Sequence, residues 1–252
     1  MKNLFIKIYL NLISFFRLKK DDIFIVSFPK VGSTWVRYFL FLIFSRHVKI
    51  GVKSIDCMNA NMPEFGNVSI LNKWKFVEYN KLVKTHKKFN FNFKYNRVIY
   101  LIRDPKDTMV SFYKYLSNSK NYGFKGTFTD VLCHKKFGLE NYFKHYSSWK
   151  QHIDLLIKYE ELKSDPRRHF KKILGLWKVE ITDAEIEKYI LESNSDNMNK
   201  AQSLSQILKN EFPDNYKFVR TESRKPWQEF FSDDDMAYYN KLKSKYNFYL
   251  YE

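Results

Sequence analysis

The segment Pro29-Lys30-Val31-Gly32-Ser33-Thr34-Trp35 gathers the residue types from which an anion site is built. Gly32 permits close backbone approach to a ligand. Ser33 and Thr34 offer hydroxyl donors, Lys30 a point charge, and Trp35 a ring face for a nucleobase. A nearly continuous apolar run at 23–28 precedes the segment, and a strongly apolar stretch at 34–44 follows it. That order predicts a buried parallel strand, a tight loop and a helix capped by Ser33 or Thr34. The free N–H groups and dipole of such a helix start attract phosphate. The loop is not a Walker A loop, because its lysine precedes its single glycine. Asp104, at the end of an apolar strand as a Walker B aspartate would be, keeps a magnesium-dependent reading open. An ordinary capped turn is the plain alternative for the loop itself.

The elements that must position this loop alternate between strand and helix. Further strands are expected at 82–85, 98–102 and 153–159. Helices are expected at 106–115, 129–133, 139–152, 167–177, 183–191 (capped by Thr182) and 233–245, while 48–79 reads as irregular connections. The alternation predicts a single α/β domain over 21–252 with a central parallel sheet flanked by helices. Residues 1–20 form a separate N-terminal amphipathic helix in this reading. Leu4, Phe5, Ile8, Tyr9, Leu12, Ile13 and Phe16 share one of its faces. The run is too short and polar for a comfortable transmembrane span, and no small-residue cleavage site follows it. Packing on the domain is the first expectation for this helix and peripheral membrane contact with basic flanks the second.

Composition bounds the partners. The 252 residues include 44 Lys plus Arg against 27 Asp plus Glu, a formal charge of +17 that favours anionic partners. Hydrophobic residues make up 44%, enough for a sizeable core. Two cysteines, Cys57 and Cys133, exclude a disulfide scaffold or a cysteine-based zinc module. No metal-ligand spacing occurs, so no metal is expected. Basic and aromatic residues interleave throughout, but no nucleic-acid-binding signature is present, and nucleic acid is not an expected partner.

The chain resembles a known family, the sulfotransferases. Phe28-Pro29-Lys30-Val31-Gly32-Ser33-Thr34-Trp35 is similar to their 5′-phosphosulfate loop, usually YPKSGTTW. Arg103-Asp104-Pro105-Lys106-Asp107 followed by Ser111 resembles their 3′-phosphate motif. Lys84-Thr85-His86 stands where cytosolic members carry K-T-H. His145 and Trp149 match an H-x-x-x-W helix, and Tyr159-Glu160-Glu161-Leu162 with Asp165-Pro166 matches Y-E-[DE]-L…D-P. The motifs run in family order from residue 23 to about residue 231. The C-terminal F-M-R-K-G-x-x-G-D-W keeps register only at Phe218, Arg220 and Trp227 and loses both glycines. The cytosolic dimerisation signature fails at Gln228.

The resemblance implies a P-loop-like sulfotransferase fold and 3′-phosphoadenosine 5′-phosphosulfate (PAPS) as donor, with 3′-phosphoadenosine 5′-phosphate (PAP) as product. It implies Lys30, Val31, Gly32, Ser33 and Thr34 around the 5′ end, and Arg103, Ser111 and Arg220 around the 3′-phosphate; Arg224, outside the family pattern, is the expected substitute for the charge of the lost lysine. Trp35, Tyr159 and Ser193 fall at the adenine. A salt bridge to Asp104 or Asp107 is the rival role for Arg103, and a place in the core the rival for Tyr159. His86 is implied as general base, with Lys30 at the leaving phosphate and Lys84 near the sulfuryl group. A surface histidine in a basic run is the rival for His86. The expected acceptor is a hydroxyl or amine on a small molecule, glycan or lipid. The expected location is the cytoplasm, with membrane association through residues 1–20 as an addition. Two other readings stand beside this one: a P-loop-type nucleotide kinase, and a non-catalytic nucleotide- or anion-binding protein.

Overall fold

The computed structural model of the chain describes residues 2–90, 93, 96–213, 216, 217 and 227–251. Four strands, β1 (Ile23–Ser27), β2 (Leu82–Thr85), β3 (Arg97–Ile102) and β4 (Leu155–Lys158), form one sheet in the order β2-β1-β3-β4. Every pairing is parallel. Ile23, Phe24, Ile25 and Val26 have no exposed surface. Helices cover both sheet faces, so these strands read as unbroken apolar runs rather than as alternations.

The helices, in chain order, are α1 (Lys2–Phe16), α2 (Ser33–Phe44), α3 (Ile55–Asn61), α4 (Pro105–Asn118), α5 (Phe128–Leu132) and α6 (Leu139–Trp149). There follow α7 (Tyr159–Ser164), α8 (Pro166–Gly175), α9 (Asp183–Glu192), α10 (Ser195–Ser203), α11 (Gln206–Glu211) and α12 (Asp233–Lys245). Local chemistry sets many of their starts. Asp104 and Asp165 cap α4 and α8, each with proline in the first turn. Capping boxes open α9 (Thr182 with Glu185) and α12 (Ser232 with Asp235). Phe39 of α2 stacks on Phe170 of α8 with ring centroids 3.6 Å apart, which fastens α2 across the sheet to the β4 side.

Four sequence expectations change. The 48–79 region holds α3, capped by Ser54, whose hydroxyl accepts the Cys57 N–H. Strand β4 starts two residues late, because the Asp154 carboxylate takes the Val98 N–H at 2.7 Å in place of a ladder carbonyl. Tyr159 does not end a strand; it opens α7. The helix expected over 139–152 ends at Trp149, and a tighter 3₁₀ turn covers Lys150–His152.

Helix α1 packs on the domain, but of its apolar face only Ile13 meets the core. Its buried anchor is Ser14, with no exposed surface, whose hydroxyl accepts the Gly66 N–H at 2.8 Å. Ile13, Phe15 and Leu18 reach the core, and Phe15 meets Phe65 edge-on at 4.9 Å. Leu4, Phe5, Ile8, Tyr9, Leu12 and Phe16 face outward.

Candidate active site

Each strand delivers one candidate group at its carboxyl end. The loop 28–32 follows β1, His86 follows β2, Arg103 follows β3 and Tyr159 follows β4. The register Val26↔Thr85, Ser27↔Leu101 and Ile102↔Lys158 brings these ends to one edge. In the 2-1-3-4 order the switch point lies between β1 and β3, where open α/β sheets place ligands.

The loop after β1 is held in an unusual shape. Lys30 has φ 72° and Gly32 φ 98°, both left-handed. Gly32, and not Ser33 or Thr34 as the sequence led one to expect, stands at the cap position of α2 and brings no side-chain cap to it, because the helix already begins at Ser33. A Cβ at Gly32 would lie 2.6 and 2.7 Å from the Tyr159 ring carbons Cδ2 and Cε2. No larger residue fits under that ring, and the first N–H groups of α2 are not covered by a cap. Val31 is anchored in the core and Ser33 is buried, while Thr34 and Trp35 are half-buried. The Trp35 indole N–H donates to Ser193 Oγ at 3.3 Å, and Trp35 meets Phe170 edge-on at 5.4 Å. Ser193 is fully buried at the end of α9 and also donates to the Ile190 carbonyl. It therefore fixes the indole from behind.

Arg103 ties the two loops together. It is almost wholly buried, donates from Nη1 to the Lys30 carbonyl at 3.4 Å, and lies 5.1 Å from the Tyr159 ring centre. Its Nη2 is 3.6 Å from Asp107, the ion pair that the sequence offered as a rival role. The Arg103 carbonyl accepts the Tyr142 hydroxyl at 2.6 Å. Ser111 lies half-buried on α4, less than two turns from the helix start. Asp104 accepts the Lys106 N–H at 2.8 Å and stands 3.8 Å from the Lys106 ammonium. Burial pushes its carboxyl above the ordinary aspartate value. It serves α4 as a cap, unlike a Walker B aspartate. The Lys106 ammonium also lies over the Trp227 ring at 4.2 Å, which ties the end of the C-terminal motif to α4. Arg220 and Arg224 lie outside the described residues.

His86 is half-buried, and its Nδ1 is 2.6 Å from the Ser27 carbonyl. A carbonyl only accepts, so Nδ1 carries the proton and Nε2 presents its lone pair. Burial, then the neighbouring Lys84, pushes the imidazole down to about 3, so it is neutral at physiological pH. The loop is fixed from the core side by the Trp149 indole N–H, which donates to the Lys87 carbonyl at 2.8 Å. His145 Nδ1 lies 2.8 Å from the Tyr100 hydroxyl in the core. These two contacts give the H-x-x-x-W spacing a structural role.

The sequence did not point to four neighbours. Glu64 pairs with Lys84 at 3.1 Å. Burial pushes the Glu64 carboxyl up, but Lys84, His86 and Arg37 outweigh it and hold it below the ordinary value. Lys84 in turn is lowered, chiefly by burial. Arg37, buried in α2, donates to the Met62 carbonyl at 2.8 Å. The Lys30 ammonium lies 4.5 Å over the Tyr115 ring, and the Tyr115 hydroxyl donates to Glu211 at 2.8 Å.

Comparison with known proteins gives these features a context. The sulfotransferase domain family matches residues 20–245. Sulfotransferase 1 family member D1 of Rattus norvegicus is 26% identical over 253 aligned residues, covering 92% of this chain and 84% of that protein. In fold, the chain is similar to mouse sulfotransferase SULT7A1 complexed with PAP, with TM-score 0.68, 20% identity, and coverage of 92% of this chain and 86% of that one. It is also similar to retinol dehydratase in a complex with retinol and PAP, with TM-score 0.70, 16% identity, and coverage of 91% and 82%.

Proposed function

The chain belongs to the sulfotransferase domain family, and from that premise we propose that it moves a sulfuryl group from PAPS to a hydroxyl- or amine-bearing acceptor, with His86 as general base. The observation that carries this reading is the tautomer of His86. With Nδ1–H held by the Ser27 carbonyl, Nε2 is free of its proton and fixed in direction, as a base must be.

The donor fits the residues present. When bound, it supplies an activated sulfuryl group on a phosphate leaving group. The uncapped start of α2, with Gly32 under the Tyr159 ring, leaves backbone N–H groups for the 5′ end. Arg103 and Ser111 receive the 3′-phosphate, joined by Arg220 and Arg224. Trp35, braced by Ser193, offers a face to the adenine. Relatives of known structure carry PAP, which supports the same nucleotide here.

His86 Nε2 takes the proton from the acceptor hydroxyl, and the acceptor oxygen then bonds to sulfur. The bond between sulfur and the phosphate oxygen breaks, and Lys30 meets the negative charge that grows on that oxygen. The pair Lys84–Glu64 flanks His86. Its ammonium is available to the sulfuryl oxygens, and its carboxylate keeps the imidazole from standing beside an uncompensated cation. A kinase has less support, because Asp104 caps α4.

Calorimetric titration with PAP, AMP and ATP–magnesium tests the donor. Tight binding of PAP over AMP, lost in Arg103→Ala, is the expected result. Equal affinity for all three, or preference for ATP–magnesium, would sink the reading.

A further inference from the structure

Helix α1 leaves a large apolar face in solvent. Leu4, Ile8, Leu12 and Phe16 recur at four-residue intervals and so line one stripe, with Phe5 and Tyr9 beside it. Phe16 is 87% exposed, Phe5 69% and Leu4 64%. A contiguous exposed patch of this kind marks an interaction surface.

Charge identifies the occupant. Residues 1–20 contain no Asp or Glu; Lys7 lies on the helix, and Lys19, Lys20 and Arg17, whose guanidinium donates to the Leu71 carbonyl at 2.7 Å, follow its end. All four are exposed. The whole chain carries +17, so a second copy meeting this face would bring like charge against like. A helix of 15 residues is about 22 Å long, too short to cross a hydrocarbon core of about 30 Å. Among the described residues no helix is long and apolar enough to span a membrane. An apolar stripe followed by basic residues, on a helix of sub-membrane length, is the pattern of a helix that lies in the plane of an interface.

The helix is also joined to the site. Its Ser14 accepts the N–H of Gly66, two residues from Glu64. Its Asn11 side chain accepts from the ammonium of Lys87, next to His86. A surface gripped by α1 therefore lies beside the segments that carry Glu64 and His86.

We propose that α1 is a docking element for an anionic lipid bilayer, with its apolar stripe in the acyl boundary and its basic residues at the headgroups. This docking does not depend on the reaction assigned above.

The test is co-sedimentation of the full chain with vesicles of phosphatidylcholine alone and of phosphatidylcholine mixed with phosphatidylglycerol. Binding is expected to the anionic vesicles and to weaken with salt. The triple variant Phe5→Glu, Leu12→Glu, Phe16→Glu should lower partitioning by about a hundredfold or more. Lys7→Gln with Lys20→Gln should lower it by roughly tenfold. Thermal melting and PAP titration of the same variants read fold and donor site separately, since none of these side chains lies in either. No binding to anionic vesicles, or equal binding to both vesicle types, would overturn the proposal. A dimer by light scattering that the triple variant abolishes would overturn it too, by assigning the face to a second copy.

Discussion

His86 combines a fixed tautomer with a depressed basicity, and both have measurable consequences. His86→Ala should lower kcat by about a hundredfold or more, the range of a lost general base, while PAP affinity in calorimetry stays unchanged. Loss of PAP binding in that variant would mean the histidine is structural. The same depression links to stability. His86 and the core residue His145 are both pushed to about 3, from an ordinary value of 6.5, chiefly by burial. Between those values the unfolded chain binds more protons than the folded one. Stability should therefore be full above about pH 6.5 and fall as the pH drops toward 3. Urea midpoints measured across that window check this, and His86→Gln should flatten the curve. Legibility at this scale followed local spacing. Lys30, Gly32, Arg103 and His86 stood in short motifs and meet at one edge of the sheet. Glu64 and Arg37 did not, because Glu64 faces Lys84 across 20 positions through a single bridge, and no local period encodes that pairing. Glu211 reaches Tyr115 across 96 positions and was hidden for the same reason.

At the scale of elements, the β1–loop–α2 unit is the part most dependent on backbone shape. Gly32→Ala combines a left-handed φ with a Cβ driven into the Tyr159 ring. The backbone term alone is about 1–3 kcal/mol. The variant should melt lower and bind PAP weakly, and Tyr159→Ala in the same chain should recover part of the loss by opening space. An unchanged melting temperature for Gly32→Ala would show that the ring is not held there. The strands were legible because burial on both faces leaves unbroken apolar runs, and Thr182 was legible as the cap of α9, whereas the capping roles of Asp104, Asp165 and Ser232 emerge only in the structure. The direction of α1 was not. Periodicity finds an apolar face but not what meets it, and here Ser14 and Asn11 make the contacts while Leu4 and Phe16 do not.

For the whole molecule, the dominant property is the field of +17. An anionic nucleotide approaching the carboxyl edge of the sheet is attracted by all of it at low salt. The association rate of PAP in stopped flow should fall by about tenfold or more when ionic strength rises from about 0.01 M to about 0.5 M. A neutral probe such as adenosine should show no such slope. A flat response for PAP would mean that the site is screened from the rest of the chain. The family resemblance was legible across most of the length because its motifs sit at strand ends, which the sheet fixes. Segment 48–79 was the least legible part, because no periodic signal runs through it, although Met58, Met62, Phe65, Ile70 and Phe76 all enter the core.

The left-handed backbone of Lys30, with φ 72°, has a consequence for how this protein could be improved or degraded by selection. A residue with a Cβ is strained there by about 1–2 kcal/mol, whereas glycine is not. Glycine gives back about 0.5–1 kcal/mol through a freer unfolded chain. Lys30→Gly is therefore expected to melt at the same temperature or slightly higher while losing nearly all turnover, which paired melting and activity measurements would reveal. A screen that rewards thermostability alone would drift toward that substitution and disarm the enzyme. A screen that rewards turnover would hold the lysine against the backbone's own preference.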